Sequence, residues 1–562
     1  MNFETKLLSS LNKVFAESAK PAEKNHRKGK AFGGEIYSFQ VAYYSTARID
    51  NINWEITSPL EKYIKVRRVG LVPAEYLSPD FDDTMLKTAP GLFPDPLLPC
   101  PNELFTFPKQ WRSLWITVSM PEDFQPGVYQ INIKFYFDSE EPLGKDNLVK
   151  ETQSSKVKHE HETNFELEIM PSKLPRQQLG HTEWFHADCL AVQYNVPVWS
   201  TKHWDLLEKY FANMVEHGIT QLLTPIFTLP LDTAEGGERP TAQLVDISCD
   251  QGKYSFNFAK LNRWLKIARQ AGIESFEISH LFSQWGAKKT PKIIVSEAGV
   301  DVKKFAWHTD ALSQEYADFL DAFLPALIDF LQLEGLFSDC CFHISDEPHL
   351  KDLEHYSKVA EIVKKYIPAP KIVDAVSCVE YYHQGICVNP IPAINEVKNF
   401  IDMGINNLWT YYCCGPWENS PNRYFNMPLA RTRALGLILY KYNLSGFLHW
   451  GYNFWFKRYS KGSIDPFKET DAGGEFPAGD SFLVYPGDDG PLDSIRYEVL
   501  REGFQDHQAL ILLETLIGRK QTISFIEKIL NYVISDTDFP KVEEDFLRFR
   551  NALNEKICSL SQ

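Results

Sequence analysis

Two neighbouring carboxylates, Asp346 and Glu347, follow a short apolar run in the sequence DCCFHISDEP. The run predicts a buried strand over 341–344, and Pro348 can end that strand and begin a helix. Acids at the end of a buried strand lower stability unless they are paired, so their presence favours a functional site. The alternative is that Asp346 only caps the helix predicted over 348–366, which would explain one of the two acids.

Polar and aromatic residues recur near the ends of the other predicted strands. Carboxylates among Trp and Tyr are typical of a sugar site, because aromatic rings cover the C–H faces of a pyranose while acids and amides bind its hydroxyls. The alternative is that these rings pack in the core. The candidate substrate-binding residues are His181, Glu183, Trp184, His343, Trp409, Tyr411, Tyr412, Trp450, Tyr452 and Asn453.

The adjacency of the two acids limits the mechanism. Neighbours on a strand point to opposite sides, so Asp346 and Glu347 are poorly placed to face each other across a glycosidic bond. They suit substrate assistance, in which Glu347 protonates the leaving oxygen while Asp346 orients a 2-acetamido group whose carbonyl oxygen attacks the anomeric carbon. The acid then needs a raised pKa, which burial beside a second carboxylate would supply.

Other classes of function stay open at this point. A glycosidase with a different sugar specificity would use a conventional carboxylate nucleophile, for which Glu183 is the candidate. A hydrolytic metal centre would use strand-end histidines, His280 among them, together with Asp346. Because the first strand has no HxH motif, we expect neither a metal nor a cofactor. A non-catalytic sugar-binding protein would keep the Trp residues but has no need of adjacent acids.

The order of strand and helix patterns predicts a multidomain α/β protein. Residues 1–34 are predicted to be a helical and then basic segment, and short alternating strands over 35–172 predict an N-terminal β-sandwich. Strands alternating with helical periods over 173–492 predict a (β/α)8 TIM barrel as the catalytic domain, with a helical tail over 493–562. A doubly wound sheet is the alternative, but no Gly-rich fingerprint follows the first strand. The eight predicted strands are 180–185, 221–227, 275–281, 341–344, 372–375, 386–389, 407–412 and 446–452.

Three insertions and a charged tail complete the pattern. The insertions at 231–254, 283–310 and 456–482 follow the second, third and eighth predicted strands, where a barrel builds its pocket. In the tail, charged residues recur at helical spacing, and we interpret them as an ion-paired face that holds the tail to the barrel rather than as substrate contacts. They are Arg496, Glu498, Arg501, Glu502 and Asp506.

Composition restricts the partners. The 562 residues include 58 Lys and Arg against 74 Asp and Glu, a formal net charge of −16. Nucleic acids and anionic membranes require a basic face, so we expect neither as a partner; a carbohydrate is expected, and a homo-oligomer is an open alternative. The N-terminal residues include acids where a signal peptide needs an apolar core, and the ten Cys form no CxxC pair, so we expect a cytoplasmic protein.

Four runs of sequence carry a resemblance to a known family: HISDEP at 343–348, WTYYCCGPWENSPNRYFNMPLARTRALGL at 409–437, GFLHWGYNFW at 446–455 and SIRYEVLREGFQDHQAL at 494–510. They resemble the catalytic domain of glycoside hydrolase family 123, also known as domain of unknown function 4091. GGEIYSFQVAYY at 33–44 is similar to the start of the β-sandwich that precedes the barrel in this family.

The resemblance implies a (β/α)8 barrel and a retaining, substrate-assisted enzyme of the β-N-acetylgalactosaminidase type that uses no metal. It implies that Asp346 orients the acetamido group and that Glu347 is the general acid and base. The pocket residues that it implies are Tyr411 or Tyr412, Asn453, Trp409, Trp450 and Trp455. Characterised members tend to be exported, and the expected lack of a signal peptide departs from that pattern.

Overall fold

The structure, a computed structural model, describes residues 2–18, 25–142 and 154–561. Its N-terminal part contains ten strands in two sheets, with the orders β1-β3-β8-β5-β6 and β2-β10-β9-β4-β7. The strands are β1 (Phe3–Ser9), β2 (Lys28–Gly33), β3 (Ile36–Ser45), β4 (Ile49–Thr57), β5 (Ile64–Ala74), β6 (Gly91–Pro99), β7 (Glu103–Thr106), β8 (Gln110–Ser119), β9 (Gly127–Pro142) and β10 (Ser154–Lys173).

The two sheets pack face to face around an apolar core. Phe39 of β3 stacks on Phe165 of β10 with ring centroids 4.0 Å apart, which joins one sheet to the other. Strand β8 is apolar on both faces: Leu114 and Ile116 point into this core, whereas Trp115 points into the larger core shared with the rest of the chain. The sandwich is therefore anchored to the remainder of the molecule through one of its sheets.

The predicted helix at the N-terminus is wrong. Residues 3–9 form β1, which pairs antiparallel with β3 from Phe3 to Ser9, and β2 pairs parallel with β10. Leu7 of β1 is buried in the sandwich core, so sheet pairing and burial override the weak helical pattern of this stretch. Residues 19–24 of the predicted segment lie outside the described residues.

The second part of the chain alternates strands and helices. Its strands are β11 (Gly180–Glu183), β12 (Gln221–Thr224), β13 (Asp246–Asp250), β14 (Lys253–Asn257), β15 (Ser275–Ile278), β16 (Ile293–Glu297), β17 (Val300–Phe305), β18 (Cys340–Phe342), β19 (Asp374–Ala375), β20 (Pro390–Ile391), β21 (Trp409–Tyr411), β22 (Gly446–His449), β23 (Tyr485–Gly487) and β24 (Gly490–Leu492). Its helices are α1 (Ala187–Gln193), α2 (Thr201–Glu216), α3 (Ala259–Ala271), α4 (Gln314–Leu333), α5 (Leu353–Lys364), α6 (Val379–His383), α7 (Val397–Ile401), α8 (Leu429–Arg433) and α9 (Leu435–Lys441).

The predicted (β/α)8 TIM barrel is wrong: no closed barrel forms among the described residues. The parallel strands fall into three separate sheets, with the orders β11-β22-β21, β12-β15-β18 and β19-β20. Single bridges, Phe342 to Ile372 and Ala393 to Tyr411, lie between these sheets. Strands of two to four residues are too short to continue the ladder around a ring, and α6 and α7 are only five residues long. Two insertions also pair with each other, as the sheet β14-β13-β16-β17.

The tail consists of α10 (Ile495–Ile517), α11 (Arg519–Leu530) and α12 (Glu543–Ser561). Ion pairs hold α10 in place: Arg496 pairs with Asp95 of β6 at 2.8 Å, and Arg433 of α8 pairs with Glu502 at 2.6 Å and with Asp506 at 2.7 Å. The charged face of the tail thus holds it to the sandwich as well as to the second part of the chain. No helix among the described residues combines the length and the hydropathy that a membrane span requires.

Candidate functional site

An open cavity with about 640 Å³ of empty space lies where the parallel strands β11, β12, β15, β18, β19, β21 and β22 end. Both carboxylates of the adjacent pair open into it, and aromatic side chains form much of its wall. The lining residues are Trp184, Leu231, Asp232, Gln284, Trp285, Asp346, Glu347, Ala375, Tyr411, Cys413, Cys414, Leu448, Trp450, Arg458 and Phe476. Five of the sequence-predicted residues are brought together here: Trp184, Asp346, Glu347, Tyr411 and Trp450.

The backbone after β18 turns both acids into the same cavity. The strand ends at Phe342, two residues earlier than predicted, so Asp346 and Glu347 lie on a loop and not on alternating faces of a strand. Glu347 has a φ of +43°, a left-handed conformation that a residue with a Cβ adopts only when its surroundings enforce it. The backbone N–H of Trp285 donates to the carbonyl oxygen of Asp346 at 2.8 Å and fixes the loop.

The capping alternative for Asp346 is wrong. The helical segment after the pair begins with a single turn over Leu350–Asp352, and its N-cap is His349, joined to Asp352 in a capping box. Helix α5 then starts at Leu353, well beyond the two acids. Neither acid therefore has a helix-capping role, and their strained placement in the cavity needs another explanation.

Burial raises the pKa of both carboxyls of the pair. Desolvation and the neighbouring charge of Glu347 raise the pKa of Asp346 well above its ordinary value. Desolvation also raises the pKa of Glu347, although the Tyr411 hydroxyl, which donates to its Oε1 at 2.6 Å, favours the ionised form. Both carboxyls therefore have raised pKa values, and the Tyr411 hydroxyl stabilises the ionised form of Glu347.

The indole rings of the cavity are held by carboxylates behind its wall. The Nε1–H of Trp184 donates to Glu277 at 3.0 Å, and the Nε1–H of Trp450 donates to Asp480 at 2.9 Å. Each bond fixes the plane of its ring; Trp450 is partly exposed and can contact a ligand with its face, whereas Trp184 is 1% exposed and forms the packed base of the wall.

His343 supports the loop of the two acids from beneath. It is fully buried between Glu277, 2.9 Å from its Nε2, and Asp374, 3.2 Å from its Nδ1. Burial opposes a charge on this ring, but the bonds to both carboxylates raise the pKa of His343 to about 9, so it is an imidazolium at neutral pH. Asp374 also accepts the backbone N–H of Ile344 at 3.1 Å and that of Ser345 at 3.4 Å, just before the acids.

Two groups of buried side chains have the composition of a metal site. His280, His343 and Asp374 place one ligand atom each within 4.8 Å of one another. Both nitrogens of His343 already face carboxylates, so this ring offers a metal no free nitrogen while those bonds persist. The second group contains His217, Asp493 and Glu498, whose two acids pair with Arg67 at 2.5 and 2.8 Å. Both arrangements are better explained as buried ion pairs.

Glu183, the alternative nucleophile, lies outside the cavity. Its side chain is fully buried, and Nη1 of Arg423 donates to both of its oxygens, at 3.0 and 2.8 Å. Burial alone would raise the pKa of Glu183, but Arg423 and His181 lower it below the ordinary value. A carboxylate enclosed in this way has no access to an anomeric carbon.

Trp409 lies at the opposite ends of the strands, in a second cavity with Cys341 and Asn389. Its ring covers Gly180 and Gly446, where an added Cβ would lie 2.1 and 2.2 Å from the indole.

The remaining predicted residues are buried behind the wall of the first cavity. Tyr412 packs on Phe447, and the Tyr452 hydroxyl donates to Asn213 at 2.7 Å. Asn453 accepts the backbone N–H of His186 at 2.8 Å, and the Trp455 indole donates to the carbonyl of Val484 at 3.2 Å. His181 lies 3.3 Å from Glu183. None of these side chains lines the cavity.

Several cavity residues were missed by the sequence reasoning. Asp232, Gln284, Trp285, Arg458 and Phe476 all belong to the three insertions that were predicted to build the pocket. Insertions have no periodicity that singles out one residue, so only the segments and not the side chains were predictable.

Comparisons with known proteins identify the family and a similar fold. The model of the family "Glycoside hydrolase 123, catalytic domain" matches residues 184–513. Among solved structures, a family 123 glycoside hydrolase from Clostridium perfringens, studied for glycolipid glycan hydrolysis, matches with a TM-score of 0.72 and 14% identity over 100% of this chain and 98% of its own. At that identity the likeness shows the fold alone.

Other structural matches are partial. AvmM, which catalyses a macrocyclization in alchivemycin A biosynthesis, matches 31% of this chain and 93% of its own with 11% identity and a TM-score of 0.16. AggA, a fimbrial subunit of Escherichia coli, matches 30% of this chain and 94% of its own with 12% identity and a TM-score of 0.14. Both TM-scores are too low to indicate a shared fold. No curated protein matches the chain. Because the family model spans more than half of the 562 residues, the chain belongs to glycoside hydrolase family 123.

Proposed function

We propose that this glycoside hydrolase cleaves terminal β-linked 2-acetamido sugars with retention of configuration, as a β-N-acetylgalactosaminidase-like enzyme that uses substrate assistance. The observation that carries the proposal is the convergence of two sequence-adjacent carboxylates, Asp346 and Glu347, on one aromatic-walled cavity, while Glu183 is enclosed elsewhere. A carbohydrate is the expected ligand of such a cavity.

In the proposed mechanism the substrate supplies the nucleophile. The acetamido carbonyl oxygen attacks the anomeric carbon, the bond to the leaving oxygen breaks, and Glu347 transfers its proton to that oxygen. Asp346 accepts the acetamido N–H and stabilises the positive charge of the oxazolinium ion that forms. Glu347, now ionised, then takes a proton from the water that attacks the anomeric carbon, which opens the ring and restores the acetamido group.

Substrate binding would favour the protonation state that the mechanism requires. The repulsion between the two carboxylates raises the pKa of Asp346, and the Tyr411 hydroxyl stabilises the ionised form of Glu347. An acetamido N–H that donates to Asp346 favours the ionised form of Asp346. A proton on the pair is then favoured on Glu347, where general acid catalysis requires it. This role of the substrate N–H supports the proposed specificity for 2-acetamido sugars.

A conventional nucleophile is the alternative mechanism, and Asp232 is the other acid that lines the cavity. Burial raises the pKa of Asp232 to about 6, against the opposing effect of the Tyr459 N–H. One of its oxygens accepts that N–H at 2.8 Å. A nucleophile that is partly protonated near neutral pH and held by the backbone is poorly suited to attack, so the observations favour substrate assistance.

The test is hydrolysis of 4-nitrophenyl β-GalNAc, β-GlcNAc, β-Gal and β-Glc, with a thiazoline that mimics the oxazoline intermediate. The proposal predicts cleavage of the acetamido sugars only, inhibition by the thiazoline, and release of the β-anomer first, as followed by proton NMR. Because the Clostridium perfringens relative was studied for glycolipid glycan hydrolysis, a glycolipid glycan ending in β-GalNAc belongs in the panel. Hydrolysis of β-Gal without thiazoline inhibition would contradict substrate assistance, and sugar binding without any hydrolysis would indicate the non-catalytic alternative.

A further inference from the structure

Asp232 presents an unused hydrogen-bond acceptor to the cavity. Its side chain is only 8% exposed, and it lines the same cavity as the two catalytic candidates. Oδ2 accepts the backbone N–H of Tyr459 at 2.8 Å, whereas Oδ1 accepts no hydrogen bond from the described residues. An oxygen that faces the cavity and has no donor among the described residues can accept a hydrogen bond from a ligand.

The backbone around Asp232 is held in a strained form. Its φ is +40°, and the φ values of Tyr459 and Ser460, on the facing loop, are +62° and +55°. The Ser460 hydroxyl donates to the carbonyl oxygen of Asp232 at 2.8 Å, and the side-chain oxygen of Gln284 accepts the Asp232 backbone N–H. Bonds from two other insertions thus fix the direction of the carboxylate, and strain that is maintained in this way is typical of functional positions.

Arg458 supplies a donor on the same wall. Its Nη1 donates to Glu475 at 2.9 Å, and its guanidinium lies over the rings of Tyr459 and Phe476, at 4.7 and 5.8 Å from their centroids. Nη2 donates no hydrogen bond to the described residues. Asp232 thus offers an acceptor and Arg458 offers a donor to the same cavity. Together they match two neighbouring hydroxyls, one that donates to Asp232 and one that accepts from Arg458.

The order of the acids around the cavity indicates which hydroxyls of the sugar face Asp232. Contacts along the wall give this order: Tyr411 donates to Glu347, and the backbone N–H of Trp285 donates to the carbonyl oxygen of the adjacent Asp346. Gln284, the neighbour of Trp285, accepts the backbone N–H of Asp232, so Asp232 follows Asp346 and lies on the side away from Glu347. In the proposed function, Glu347 acts at the oxygen on C1 and Asp346 acts at the nitrogen on C2. The next positions around the ring are C3 and C4, which therefore face Asp232.

We propose that Asp232 and Arg458 bind the hydroxyls on C3 and C4 of the terminal sugar and thereby set the specificity of the enzyme at these positions. This inference rests on the proposed function, since that function fixes the orientation of the ring. Galacto and gluco sugars differ only at C4, so the same wall decides between β-GalNAc and β-GlcNAc. Neither residue takes part in bond cleavage.

The experiment compares Asp232→Asn with the wild type on 4-nitrophenyl β-GalNAc and on its 3-deoxy and 4-deoxy analogues. The variant should lose roughly 10- to 150-fold in kcat/KM on the full substrate, the range for a hydrogen bond to a charged group. On the analogue that lacks the bound hydroxyl, the loss should shrink to about 3-fold or less, because the interaction is already absent. An equal loss on all three substrates would overturn the inference and leave the proposed function intact.

Ser460→Ala is the matched control. It removes a bond to the backbone of Asp232 but leaves the carboxylate, so it should change kcat/KM by a similar small factor on all three substrates. A Ser460→Ala pattern equal to that of Asp232→Asn would assign the effect to the loop and overturn the inference.

If the wild type hydrolyses none of the acetamido sugars, the proposed function fails and binding becomes the test. Quenching of the fluorescence of Trp184, Trp285 and Trp450 by free GalNAc and by its 4-deoxy and 3-deoxy forms reports occupancy of the cavity. Weaker binding of GalNAc by Asp232→Asn, with unchanged binding of one deoxy sugar, would support the hydroxyl site. Equal affinities of the two proteins for every sugar, or no binding at all, would overturn it.

Discussion

The bond from Tyr411 to Glu347 gives the most direct test of the roles in the pair. The hydroxyl donates to Oε1 at 2.6 Å, and this bond lowers the pKa of Glu347 against the raising effect of burial. Tyr411→Phe removes the donor and keeps the ring. A hydrogen bond to a charged group contributes about 1.5–3 kcal/mol. At about 1.4 kcal/mol per pKa unit, its loss raises the pKa of Glu347 by about 1 to 2 units, and water in the cavity favours the lower value.

The assay is the pH profile of kcat/KM on an unactivated β-GalNAc glycoside. Its alkaline limb reports the loss of the proton that the acid must donate, so Tyr411→Phe should shift this limb upward by about 1 to 2 pH units. Tyr412→Phe is the control, because the Tyr412 hydroxyl is buried and has no hydrogen-bond partner among the described residues, so its loss should leave the limb in place. An alkaline limb that stays fixed or moves downward in Tyr411→Phe would refute the assignment of Glu347 as the acid.

Three further predictions follow from the same structure. Glu347→Gln should lose about 10²- to 10⁴-fold in rate on alkyl glycosides and much less on 4-nitrophenyl glycosides, whereas Asp346→Asn should lose rate on both. If steady-state assays show the same rate losses for the two variants on both substrate classes, the assigned roles are wrong. The ion pairs of protonated His343, which raise its pKa to about 9, stabilise the fold fully below about pH 6.5, and this contribution is lost as pH rises through about 9. The Tm difference between the wild type and His343→Gln should therefore shrink across this window. A difference independent of pH would show that the ring is not charged. Arg423→Met should lower the free energy of urea unfolding by about 3–5 kcal/mol because it removes the guanidinium that donates to both oxygens of the buried Glu183. Adding Glu183→Leu should restore most of the loss, and a double variant no more stable than Arg423→Met would show that the broken ion pair is not the cause.

The part of the site that could be predicted from sequence is the part encoded by local pattern. An apolar run that ends in two acids and a proline identified Asp346 and Glu347, and strand ends identified Trp184, Tyr411 and Trp450. The same rule also selected Trp409, because the residue pattern of a strand does not show which of its two ends lies at the cavity. Trp409 begins β21 and Tyr411 ends it, so one side chain lies at each end of the sheet.

The other errors have physical causes of a different kind. Closure of a barrel depends on hydrogen bonds between strands, and β19 and β20 pair over only two residues each, which no periodicity in the sequence reveals. Pairing of β1 with β3 joins residues that are 30 to 42 positions apart, and its energy outweighs a weak local helical tendency. Asp232 and Arg458 were missed because long insertions fold against each other, not according to a repeat.

The buried charges of this region divide into two layers with different consequences. Glu183, Glu277 and Asp374 lie behind the cavity wall, and each has a cation or an indole N–H as a partner, so removing a partner costs stability. Asp346 and Glu347 instead face each other's charge without a cationic partner within salt-bridge distance among the described residues. Their mutual repulsion is relieved when one of them carries a proton, and in the proposed reaction the substrate N–H stabilises the charge of Asp346 while Glu347 carries the proton. The carboxylates behind the wall therefore contribute to stability through their partners, whereas the pair in the cavity is arranged for the proposed proton transfer.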